Sequence, residues 1–126
     1  MMTFQEAKEL SLHKWNLIIN WIKNNHIPNY DELIEIFINV IMADPKLKSL
    51  DHACGFCEFS LQKLKKYCKD NNESFVGRYI DKCTFCPLKT NRCGNNDSIY
   101  NKFVCFPNLE NAQEMYNLIE SCNEEK

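Results

Sequence analysis

The chain has 126 residues, a formal net charge of −2, 44% apolar residues and eight cysteines. That size fits one domain with a modest core, and the apolar content excludes a disordered chain. Three Gly and four Pro are too few for an all-β fold built on tight turns.

In chain order, the first element is a long helix over 3–25. Thr3 and Glu6 have capping-box spacing, and Trp15, Ile18, Ile19 and Ile22 fall on one apolar stripe ended by Pro28. A second helix starts at Asn29 or Asp31, with Leu33, Phe37, Val40 and Ile41 on one face and Ile34, Ile38 and Met42 beside them. So broad an apolar arc predicts the central helix of the bundle, closed by Asp44-Pro45. A third helix covers 58–70, with Cys57, Leu61, Leu64 and Cys68 inward. Residues 71–82 read as irregular, anchored by Phe75, Val76, Tyr79 and Ile80, and CTFCPLKTNRC reads as a compact loop, with Pro87 blocking a helix. A short helix over 97–104 and a last one over about 109–122, capped by Asn108, complete the chain. The expectation is a single, mainly α domain pinned by a cysteine-rich structural metal site. It comprises an N-terminal helical pair (1–45), a metal-binding module (46–93) and C-terminal helices (94–126).

Charge is unevenly spread along these parts. Residues 1–45 carry net −3, residues 46–92 net +5 and residues 93–126 net −4. The cysteine-rich middle is the basic part, and four thiolates on a divalent ion leave −2 for nearby cations to offset.

Cys54, Cys57, Cys83 and Cys86 form C-x2-C-x25-C-x2-C, with Cys93 six intervening residues later. A two-residue spacing lets one tight turn present two sulfurs to one ion, and two such turns close the tetrahedron that structural zinc prefers. Five thiols compete for four places, so the ligands are four of Cys54, Cys57, Cys83, Cys86 and Cys93, with His52 as a substitute. Cys68, Cys105 and Cys122 read as small buried hydrophobes. MMTFQEAKEL lacks a secretory signal's basic start, and no apolar run approaches the roughly 18 residues of a membrane span. A reducing cytosol is therefore the expected compartment, where such pairs bind metal more often than they form disulfides. Three alternatives stay open, a disulfide scaffold among them, though it would want a secretory context and a smaller core. Cys86-Pro87 echoes the Cys-Pro that closes many iron–sulfur motifs, and C-x2-C is also the thioredoxin-type redox spacing, although no preceding strand is evident here.

Catalytic templates are missing. HACGFCE has no H-x-E, CTFCP places its proline after the cysteines, and the chain lacks a phosphate loop, G-x-S-x-G and HExxH. An all-thiolate shell leaves no water to activate, so a non-enzyme is expected.

The segments WNLIINWIKNNHIP, HACGFCEF, CTFCPLKTNRC and SIYNKF…NLENAQEMYNLIES occur in an order that resembles small uncharacterised proteins of bacteriophages and mobile elements. The longer apolar second helix and the additional Cys68, Cys105 and Cys122 depart from that pattern. The resemblance implies a phage-type zinc-binding accessory protein in a bacterial cytoplasm. It marks the same five cysteines and transfers no activity.

Two modes of action follow. The first is binding of a host protein, including inhibition of a defence component, through acidic termini and exposed aromatics such as Tyr30, Tyr100 and Phe106. The second is nucleic-acid binding by a basic face of Lys63, Lys65, Lys66, Lys69, Arg78, Lys82, Lys89 and Arg92, with Tyr67 or Phe85 for stacking. An iron–sulfur redox or sensor protein is the third reading.

Overall fold

The computed structural model describes residues 2–50, 54–71, 86–88 and 97–124, which are helical and contain no strand. Helix α1 spans Phe4–Asn24 and opens with the expected box: Thr3 Oγ1 accepts the Glu6 N–H at 3.1 Å, and Glu6 Oε1 accepts the Thr3 N–H at 3.3 Å. Its buried residues, Phe4, Ala7, Ser11, Lys14, Trp15, Ile18, Ile19 and Ile22, recur at helical spacing. Around this helix the rest is assembled, because α1 packs against α3 (Gly55–Asp70), α5 (Leu109–Ser121) and the segment after α2.

The first half of α1 meets α3 through small residues and rings. Phe4 stacks on Phe56 at 5.8 Å and meets Phe59 edge-on at 6.0 Å. At the crossing, a Cβ on Gly55 would stand 2.1 Å from the Ala7 carbonyl oxygen, so only glycine permits the backbones to come this close. The second half of α1 holds Trp15, whose ring is met edge-on by Phe103 at 5.0 Å and Tyr100 at 6.1 Å from α4 (Ile99–Cys105). Helix α5, capped by Asn108 as expected, buries Ala112, Met115 and Ile119, and its C-terminal end lies beside Lys8, whose Nζ donates to the Cys122 carbonyl at 2.9 Å.

The second helix departs from expectation. Helix α2 (Tyr30–Glu35) starts on an Asn29–Glu32 capping box and then widens into a π-helix over Ile36–Ile41. The turn buries Ile36 and Ile41, five residues apart, which is one π turn and not an α-helical repeat. Ile34, Ile38 and Met42 face solvent at 42%, 58% and 50% exposure. This element is peripheral and α1 is the central one; of the face expected inward, Leu33 and Ile41 are buried and Phe37 and Val40 half-buried, while Ile36, outside that face, is fully buried.

Helix α3 begins about one turn earlier than expected, inside CGFC, with Cys54 as N-cap. Its buried face is therefore Phe56, Phe59, Ser60, Leu64 and Cys68, with Cys57 and Leu61 only half-buried. The anchors assigned to 71–82 and most of the CTFCPLKTNRC loop lie outside the described residues; within that loop, Cys86 and Leu88 join the buried core.

Candidate metal centre

The start of α3 sets the geometry. Helix N-termini leave backbone N–H groups unpaired, and here no side chain of α3 caps its own first turn. The Phe56 N–H instead donates to Ser11 Oγ across the seam at 3.0 Å. That leaves the Ser11 hydroxyl hydrogen for the Cys54 sulfur, 4.0 Å away. Cys54 is buried, and Cys57 follows one turn on with its thiol hydrogen-bonded to Cys54.

That hydrogen bond is the largest influence on Cys54 and, against the opposing effect of burial, its thiol is held down to about 5. The Lys14 charge and the backbone N–H groups of Cys57 and Phe56 act in the same direction. These influences all favour the thiolate of Cys54, the form that ligates metals.

Lys14 is the residue that sequence reasoning missed. It is only 5% exposed, on the buried stripe of α1 between Ser11 and Ile18. Its ammonium lies 4.8 Å from the Phe37 ring centroid and 6.0 Å from that of Trp15. No carboxylate pairs with it among the described residues, and its charge is felt at Cys54. A buried cation is costly without an anion, and the anion available here is the thiolate. The signal was present in the sequence: a lysine three residues after Ser11 and beside Trp15 occupies a core position.

Of the five candidate ligands, Cys54 and Cys57 are brought together. Cys86 is buried in the same hydrophobic cluster as Cys54, and the Cys122 sulfur, whose thiol donates to the Leu118 carbonyl at 3.3 Å, lies 3.9 Å from the carbonyl oxygen of Pro87, the residue after Cys86. Cys83, Cys93 and His52 lie outside the described residues, and no three His, Cys, Asp or Glu side chains group for an ion among those described. No disulfide joins the described cysteines. Cys68 is buried as expected and Cys122 half-buried. Cys105, expected inside, is exposed: α4 is short, its buried residue is Phe103, and Cys105 two residues on points away from the core.

The basic face is described only in part. Lys63 Nζ sits 4.7 Å from the Phe59 ring centroid, and Lys66 pairs with Asp70 at 3.3 Å, while Lys65, Lys69 and Tyr67 are exposed. Arg78, Lys82, Lys89 and Arg92 lie outside the described residues. No described helix is long and apolar enough to cross a membrane. Comparison with protein-family models, curated proteins and solved structures finds no match to this chain.

Proposed function

We propose that Cys54 and Cys57 form one half of a closed, structural zinc site completed by two of Cys83, Cys86 and Cys93. In this reading the chain is a non-enzymatic, phage-type accessory protein that acts by binding a host protein. The observation that carries the metal assignment is the buried Cys54 thiol hydrogen-bonded to Cys57 one turn on, with the charge of the buried Lys14 favouring its anionic form. Four thiolates around a divalent ion leave two negative charges in a region poor in water, and a fixed cation beside them lowers that cost. Zinc suits the donor set because soft thiolates close its tetrahedron and no coordination position remains for a reactive water.

A structural ion supplies folding free energy on the order of 10 kcal/mol in small zinc peptides. That contribution suits a small chain which must hold a cysteine-rich loop against its helices. Binding a macromolecule then needs a shaped surface and no catalytic centre.

Elemental analysis of natively purified protein, with Cys→Ser variants at the five positions, tests the site. One zinc per chain is expected. Serine at any true ligand should abolish metal and folding, and serine at the spare thiol should be close to neutral. Lys14→Met should weaken zinc retention against a chelator by about 10- to 100-fold, the usual effect of losing an outer-shell partner. Visible colour and stoichiometric iron in anaerobically purified protein would replace zinc with a cluster. Binding to nucleic acid that weakens steeply with salt, with no host protein retained, would replace the proposed partner.

A further inference from the structure

We infer that the outer face of α2 and its π-helical extension is a docking surface for a cationic amphipathic helix of a protein partner, an inference that rests on reading the chain as a protein-binding one. Tyr30, Ile34, Ile38 and Met42 recur every fourth residue along this face, at 68%, 42%, 58% and 50% exposure. In an α-helix a four-residue step overshoots a full turn, so such a row drifts around the axis. In a π turn, bonded i to i+5, the same step falls short of a turn. The π segment over Ile36–Ile41 therefore offsets the drift from α2 and keeps the four apolar side chains in one straight row. π turns recur at functional sites, and contiguous exposed apolar side chains mark interaction surfaces.

Charge selects the occupant. Asp31 and Glu35 each follow a residue of the row, both are exposed, and neither joins an ion pair among the described residues. From Tyr30 to Met42 there is no Lys, Arg or His. A second copy of this chain would bring the same carboxylates against the row, and like charges at a contact disfavour it. A helix with an apolar ridge flanked by lysines or arginines complements both the row and its rim.

The test uses the full chain, natively purified, and two synthetic helical peptides that share one leucine ridge and differ only in Lys or Glu flanks. The Lys-flanked peptide should bind saturably and at least about tenfold more tightly than its Glu-flanked counterpart. Binding should fall by at least about tenfold in the Ile34→Ser/Ile38→Ser double variant, with the protein's melting unchanged, and persist in Leu109→Ser, an exposed site on α5. Equal binding of both peptides, or equal binding by the double variant, overturns the inference. So does a concentration-dependent dimer, in sedimentation, that the double variant abolishes. A host partner retained equally by wild type and double variant overturns this surface and leaves the protein-binding reading standing. Absence of both peptide binding and any host partner overturns both.

Discussion

The α1–α3 seam and the α2–π segment use similar raw material to opposite ends. The seam is built from small and polar residues, Ala7, Ser11 and Gly55, bracketed by Phe4, Phe56 and Phe59, and it is buried. The α2–π segment is rich in isoleucine, yet Ile34 and Ile38 face solvent while Ile36 and Ile41 are buried. Burial therefore follows from how closely backbones approach and from helical register, and hydrophobicity alone does not decide it. Where Gly55 admits the Ala7 carbonyl, two helices lock; where a π turn changes register, apolar side chains turn outward.

The contrast is sharpest between Ile36 and Ile38, identical residues two positions apart. Ile36 is fully buried and Ile38 is 58% exposed. Replacing Ile36 with Ala should cost roughly 2–5 kcal/mol, whereas Ile38→Ala should stay within about 0.5 kcal/mol. Urea unfolding of the two variants reads the difference directly, and equal losses would break the register argument. On the other side of the comparison, Gly55→Ala sets a methyl against a backbone oxygen that no rotamer change can move. A loss of about 3 kcal/mol is expected, the upper end for overpacking, with α3 displaced from α1. A neutral outcome would show that the seam is looser than its geometry implies.

The smallest effect concerns the link between the two regions. His13 on α1 bonds Asp44, just past the π segment, at 3.0 Å. Partial burial raises the Asp44 carboxyl, but the His13 hydrogen bond, the Lys46 and Leu47 backbone N–H groups and the His13 charge outweigh it and hold it below the usual carboxylate value. A lowered folded-state pKa stabilises above the unfolded value of about 3.9 and loses that contribution as pH falls through the lowered one. His13→Ala should thus cost about 0.5 kcal/mol at neutral pH, as partly exposed pairs do. The difference from wild type should shrink in acid below about pH 4.

Much of the helical frame was legible because its signals are local. Thr3 with Glu6, Ser98 and Asn108 mark helix starts with their own hydrogen bonds, and the α1 and α5 stripes follow an ordinary 3.6 period. The rest depends on contacts between distant residues. The start of α3 was hidden because its N-cap position is Cys54, which makes no side-chain cap bond, and the Phe56 N–H is satisfied by Ser11 from another helix. The π turn was hidden because periodicity analysis presumes α geometry. At the candidate centre, spacing identified the Cys54–Cys57 pair, but nothing in that motif indicates a cation. Lys14 acquires its meaning only when the fold brings its charge to bear on Cys54. Cys105 misled because its apolar neighbours Val104 and Phe106 resemble a core run, although Phe106 is 68% exposed.

Cobalt(II) titration of the metal-stripped 126-residue chain probes the Cys54–Cys57 site itself, since a tetrahedral all-thiolate ion has intense sulfur-to-metal absorption. A strong thiolate spectrum should saturate at one ion per chain, be lost with Cys54→Ser or Cys57→Ser and stay intact with Cys68→Ser, Cys105→Ser and Cys122→Ser. No thiolate absorption, or a spectrum indifferent to Cys54 and Cys57, would contradict the metal assignment.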